Sequence, residues 1–100
     1  MQFVVTAHDG ANMLERRMQV RPRHLENMAA ISKTGRVLVA GGLQDAEGKP
    51  CGSVLVLEYE TREQLEEYLA SEPYIIEKVW EDVKVEPIKV VILDDQKVGN

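Results

Sequence analysis

The chain has 100 residues, with 12 Lys and Arg against 17 Asp and Glu and a formal net charge of −5. That length makes one domain with one core, since two cores would each be too small to stand alone. The acid excess excludes a general phosphate-binding surface, which needs clustered Lys and Arg, so no nucleic-acid partner is expected.

The single Cys51 allows neither an intrachain disulfide nor a thiolate metal cluster. No basic leader precedes an apolar run, as a signal peptide would require. No apolar stretch approaches the ~18 residues of a membrane span. A soluble, cytoplasmic protein with no membrane contact is expected.

Gln2 to His8 reads as the first strand, with apolar Phe3, Val4 and Val5 at its centre. Strand parity puts Phe3, Val5, Ala7 and Asp9 on one face, so Asp9 projects to the core side. Asp9-Gly10 ends the strand in a turn.

A helical region follows, from about Asn12 to Lys33. Leu14 and Met18 are spaced i, i+4, and Pro22 then interrupts, because an interior proline loses a backbone hydrogen bond. The pattern predicts a short helix to about Met18, a turn, and a second helix with Pro22 in its first turn. There His24, Met28 and Ile31 recur at i, i+4, i+7 beside Leu25, which places His24 on the buried stripe. Thr34-Gly35 supplies the stop. Arg16, Arg17, Arg21 and Arg23 form a local basic group, either solvated or ringing an anion-accepting pocket.

Arg36 to Leu43 is a near-continuous apolar strand, and Gly52 to Tyr59 is the next, joined by the polar loop Gln44 to Pro50. No helix follows Gly41-Gly42, so the pair reads as close backbone packing or a bulge near a pocket, not a phosphate loop. Thr61 opens the second helix, and Gln64 completes a capping-box pattern. Leu65, Tyr68 and Leu69 form its apolar face, with Glu63, Glu66 and Glu67 toward solvent. Glu72-Pro73 ends it, and a short helical turn covers Tyr74 to Val79. Glu81 to Leu93 is the last strand, with a bulge expected around Pro87 where the alternation changes phase. A single domain over residues 1–93 and a polar tail over residues 94–100 follow.

The order βαββαβ is the split-βαβ or ferredoxin-like arrangement: an α+β fold with a four-stranded antiparallel sheet and helices on one face. The other face carries Val39, Val54 and Val56. A sheet face that apolar marks an interface, so homodimerisation through the sheet faces is expected.

The titratable ring of His24 on a buried face needs a partner or must stay neutral. Asp9 and Glu72 are the two carboxylates placed to serve. Such a pair fixes one imidazole tautomer and moves protons near neutral pH. A metal site would require His8, Asp9 and His24 to converge, yet alternation sends His8 to the face opposite Asp9. No metal and no cofactor are expected.

Several of these segments together resemble the YCII-related family of dimeric α+β-barrel proteins: Arg21-Pro22-Arg23-His24-Leu25, Gly41-Gly42-Leu43 through Gly48, Gly52-Ser53, and Ser71-Glu72-Pro73-Tyr74. The resemblance runs to about Val91. It implies a ferredoxin-like protomer, a dimer, and a pocket beside His24, where the motif histidine and a nearby aspartate are proposed as an acid–base pair. The family commonly has Asp-Pro-Tyr or Asp-Pro-Phe where this chain has Glu72-Pro73-Tyr74. The extra methylene is expected to move the Glu72 carboxylate outward, which makes Asp9 at least as good a partner for His24.

Two functional readings and one structural reading follow. The first is a small-molecule enzyme of lyase, isomerase or hydrolase type. In it His24 is general acid or base, Asp9 or Glu72 orients it, Arg17 or Arg21 grips a substrate carboxylate, and Gly42, Ser53 and Tyr74 complete the pocket. The second is a non-catalytic homodimeric module that binds a metabolite or a partner protein. In the third, His24 is a satisfied core residue.

Overall fold

Two helices and a helical turn cover one face of a four-stranded antiparallel sheet whose strand order is β2-β3-β1-β4. The structure, a computed structural model, describes residues 1–93 and the backbone of residues 96–97. In chain order the elements are β1 (Gln2–Asp9), α1 (Leu14–Ser32), β2 (Val37–Gln44), β3 (Pro50–Glu58), α2 (Arg62–Ser71), α3 (Pro73–Ile76), β4 (Trp80–Ile88), β5 (Ile92–Leu93) and β6 (Gln96–Lys97). The first seven reproduce the α+β ferredoxin-like order, with α3 as a turn between α2 and β4.

The core lies where strand parity puts it. Phe3, Val5 and Ala7 of β1 and Leu55 and Leu57 of β3 are buried beneath the helices. Register pairs Val5 with Leu55 and Phe3 with Leu57, so these side chains project to the same face. The intervening Val4, Val54 and Val56 lie on the helix-free face, with Val4 opposite Val56, and are half-buried there. Gly52 pairs with His8, and a Cβ at Gly52 would lie 2.4 Å from the Ala7 carbonyl oxygen. Only glycine permits that close approach of β3 to β1.

The first helical region is one helix, not two. α1 runs through Pro22 without a break. The bond that Pro22 cannot donate would go to the Met18 carbonyl, and both residues lie on the exposed side, where water replaces the missing donor. His24 and Met28 are buried as expected, with Ile31 packed against the core, but the stripe runs back to Val20 and Arg17 and not to Met18 and Leu14. Leu14, Met18 and Leu25 are exposed, whereas Arg17, Val20, His24 and Met28 are buried. The spacing i, i+3, i+7, i+11 is a regular helix face that begins on an arginine.

The Thr61 half of the expected capping box forms on α2, while its reciprocal bond shifts one residue back, to Glu60. Thr61 accepts from the Gln64 amide at 3.2 Å, and the Gln64 side chain accepts from the Glu60 amide at 3.0 Å. α3 is shorter than expected, ending at Ile76, with Lys78 in the left-handed region at φ 60°. β4 pairs with β1 continuously from Gln2↔Ile88 to His8↔Asp82, so there is no bulge at Pro87; the register shift falls between His8 and Asp9. Pro87 is tolerated because β4 is an edge strand. The strand stops at Ile88, opposite the first residue of β1, and Val90 N–H donates to the Gln2 side chain at 2.8 Å. Ile92–Leu93 pairs with Gln96–Lys97 as a separate two-stranded ladder. The predicted polar tail over residues 94–100 otherwise lies outside the described residues.

Candidate functional site

α1 contributes His24 to the site because the helix face that begins at Arg17 returns to the core one turn beyond Val20. The α2–α3 junction contributes Glu72. Proline at position 73 forces Glu72 out of helical geometry, to φ −69° and ψ 120°. The side chain thereby turns inward, where its carboxylate accepts from the Tyr74 amide at 3.2 Å and caps α3. Glu72 is 0 % exposed. The extra methylene has not carried the carboxylate outward. It lets the group reach two neighbouring elements.

One of them is α1, where His24 Nδ1 lies 2.6 Å from Glu72 Oε1. With Glu72 ionised its carboxylate only accepts, and Nδ1 is then the donor. The second is α2, where the Tyr68 hydroxyl donates to Glu72 Oε2. Burial, reinforced by the adjacent Glu72 charge, pushes the Tyr68 phenol far above its ordinary range, so it remains a donor. His24 also stacks on Tyr74, with ring centroids 4.2 Å apart, and meets Trp80 edge-on at 6.2 Å. Among the described residues, His24 Nε2 has no hydrogen-bond partner.

The other candidate carboxylate serves a different group. Asp9 Oδ1 accepts from Arg17 Nη1 at 2.8 Å, and Arg17 Nη2 donates to Ser53 Oγ at 2.9 Å. The Arg17 guanidinium also lies 4.6 Å over the Tyr74 ring. Burial raises the Asp9 carboxyl above its ordinary 3.8, outweighing the pull of Arg17. Among the described residues its Oδ2 is buried without a partner, in keeping with the direction. Asp9 thus holds Arg17, and Glu72 holds His24.

Both arrangements back onto one cavity of about 600 Å³ between α1 and β2. His24, Arg17, Arg21, Gly42, Ser53 and Tyr74 all reach its wall, as do Leu25 and Met28. Asp9 and Glu72 sit behind that wall. Gly41 and Gly42 are interior residues of β2 and keep the wall thin; a Cβ at Gly42 would lie 3.9 Å from Arg17 Nη2. Burial raises the Tyr74 phenol, against the pull of Arg17 and Arg21, so its hydroxyl is a proton donor.

The basic group divides by role. Arg16 and Arg23 both pair with Glu77, fastening α1 to the end of α3. Arg17 is committed to Asp9. Arg21 alone of the four has no carboxylate partner among the described residues, and it faces the cavity. The sequence reading missed Tyr68 and Trp80 as neighbours of the site. Tyr68 stands four residues before Glu72, in the last turn of the helix that Glu72 caps, a spacing that places two side chains together.

The fold and the site define a class: a ferredoxin-like α+β domain with a buried His–Glu pair behind a polar-rimmed cavity. The chain belongs to the YCII-related family, whose family model, the YCII-related domain, matches residues 1–89. It is 33 % identical over 97 residues to Protein YciI of Escherichia coli, covering 91 % of this chain and 99 % of that one. It is 32 % identical over 97 residues to an uncharacterised protein of Haemophilus influenzae, with the same coverage. Among solved structures, it resembles 5-chloro-2-hydroxyhydroquinone dehydrochlorinase (TftG) of Burkholderia phenoliruptrix in complex with 2,5-dihydroxybenzoquinone. The TM-score is 0.82 at 20 % identity, over 89 % of this chain and 94 % of that one. That likeness establishes the fold. No helix among the described residues is long and apolar enough to cross a membrane.

Proposed function

We propose that this chain is an enzyme acting on a small, acidic, oxygen-rich metabolite, with His24 as its acid–base group. The observation that carries the reading is the 2.6 Å contact from His24 Nδ1 to the fully buried Glu72, on a cavity-lining ring whose other nitrogen has no partner among the described residues. With Nδ1 protonated, Nε2 carries the lone pair and accepts a proton from the substrate. Glu72 stabilises the imidazolium that forms. Arg21 holds the anionic oxygen of the substrate, and the Tyr74 hydroxyl donates a hydrogen bond to it. The proton on Nε2 then returns to a leaving group in an elimination, or to a different substrate atom in an isomerisation.

The structural neighbour is named as a dehydrochlorinase of a hydroxylated hydroquinone. That favours elimination from a phenolic or quinonoid ring as the chemistry to try first. The proposal includes a homodimer joined through the helix-free sheet face, where Val4, Val54 and Val56 form an apolar strip. It also includes a cytoplasmic setting, in which the lone Cys51 thiol stays reduced.

The test is a thermal-shift screen of small carboxylates, phenols, lactones and 2,5-dihydroxybenzoquinone against the wild type and His24→Ala. A ligand at a hundred times its dissociation constant stabilises by about 2.7 kcal/mol, several degrees for a domain of this size. A compound turned over by the wild type and bound but not converted by folded His24→Ala supports the enzyme. A ligand bound equally by both, with no turnover, supports the alternative of a non-catalytic binding module.

A further inference from the structure

We propose that Tyr68 is a positioning residue for the reaction centre: by donating to Glu72 Oε2 it takes part of the carboxylate's charge, keeps Oε1 on His24 Nδ1, and so holds the imidazole in its proton-accepting form. The proposal rests on the acid–base reading of His24 given above.

Three chain segments converge on one carboxylate. α1 brings His24 and α2 brings Tyr68, while the α2–α3 junction brings Glu72 with the Tyr74 amide. The His24 ring and the Tyr74 N–H both bond Oε1, at 2.6 and 3.2 Å, and Tyr68 is the donor to Oε2. Glu72 is 0 % exposed, so its donors in the native protein are protein groups. A buried carboxylate beside an imidazole favours the charged ring, and a charged ring cannot accept a proton from the substrate. A second strong donor on the carboxylate offsets that pull, because hydrogen bonds to an ionised group stabilise the charge where it already sits. Tyr68 is suited to this duty because burial keeps its phenol protonated.

The geometry also separates Tyr68 from the substrate. It is absent from the wall of the main cavity and instead borders a second one of about 400 Å³ between α1 and α2, beside Asn27, Arg36 and Gln64. It therefore acts on the reaction through Glu72. Packing alone would be satisfied by the ring, which is buried with Leu65 in the core. The hydroxyl is what the proposal requires.

The experiment reads the His24 Nδ1 proton by ¹⁵N–¹H spectroscopy of the full-length protein, with His24→Ala used to tell His24 from His8. In Tyr68→Phe the carboxylate loses its second donor, and the Nδ1 proton resonance shifts downfield while the amide spectrum keeps its native dispersion. Replacing residue 68 site-specifically with 3-fluorotyrosine keeps the shape and strengthens the donor; the same resonance then shifts upfield. Opposite shifts from the two replacements support the proposal, and the fluorinated protein decides the matter if Tyr68→Phe does not fold. An unmoved Nδ1 resonance in either folded protein overturns it. A wild-type spectrum with the His24 proton on Nε2 overturns the acid–base reading itself, and that result is distinguishable because it needs no variant.

Discussion

Arg17 Nη1 lies 2.8 Å from Asp9 Oδ1, and each side chain is only 6 % exposed. A buried ion pair is weak support for stability, yet breaking one by removing a single partner is costly because the survivor stays charged and buried. Asp9→Ala should therefore destabilise the fold by about 3 kcal/mol, read as a lower urea midpoint. A change under about 0.5 kcal/mol, the range of surface substitutions, would show that Arg17 escapes to water.

The pH dependence of that pair has a definite sign. Burial raises the Asp9 carboxyl above 3.8 in the folded protein, so between the unfolded and folded values the native state binds more protons. Stability then falls as pH rises through that window. Relative to Asp9→Asn, which cannot titrate, the wild type should lose stability from about pH 4 upward. Parallel urea curves at a series of pH values measure the difference, and a gap independent of pH would contradict the assignment.

Arg21 makes no ion pair among the described residues and faces the cavity, so its removal should leave the fold alone. Arg21→Gln should hold the unliganded melting temperature and weaken binding of an anionic ligand about 10- to 100-fold, the worth of one charge-assisted hydrogen bond. Calorimetric titration with the best hit of the thermal screen provides the check. Equal affinity in wild type and variant would move the anion site elsewhere.

Glu72 accepts from His24, Tyr68 and the Tyr74 amide at once. Glu72→Ala would leave three donors without their acceptor, and should cost about 3 kcal/mol or more of stability as well as abolishing turnover. His24→Ala leaves two of those three donors bonded to the carboxylate. It should lose turnover with the smaller stability loss, and chemical denaturation of the two variants side by side ranks them.

Val54 and Val56 alternate with the core residues of β3 and face away from the helices. A glutamate at Val54 places a charge in the middle of the apolar strip and should convert a dimer to monomers. Sedimentation equilibrium reads the outcome, and a dimer of undiminished affinity would rule out this face.

The first three strands, the Thr61 cap and the break at Glu72-Pro73 were legible in the sequence because each depends on neighbouring residues, whereas the end of β4 depends on where β1 begins. Arg17 was not. Apolar periodicity sees Leu14 and Met18 but cannot see an arginine buried by a carboxylate on another strand. Admitting Arg17 to the stripe with Val20, His24 and Met28 restores the helical period, but nothing local marks it as inward. Pro22 misled for a related reason: the loss of one hydrogen bond is serious in the core and slight on the wet side of a helix. For the site, His24 and both carboxylates were legible as candidates, whereas their pairing was not. Side-chain length suggested that Glu72 would reach outward, and the turn imposed by Pro73 reverses its direction.

Glu72 closes one helix with its backbone N–H, and with its carboxylate opens the next and holds the imidazole. Folding and the proposed chemistry are consequently entangled at that one position. A library of random variants sorted only for thermal resistance, blind to any reaction, would recover Glu72 among its least replaceable residues. Drift there is policed twice, and a descendant that abandoned the chemistry would still be held to the acceptor.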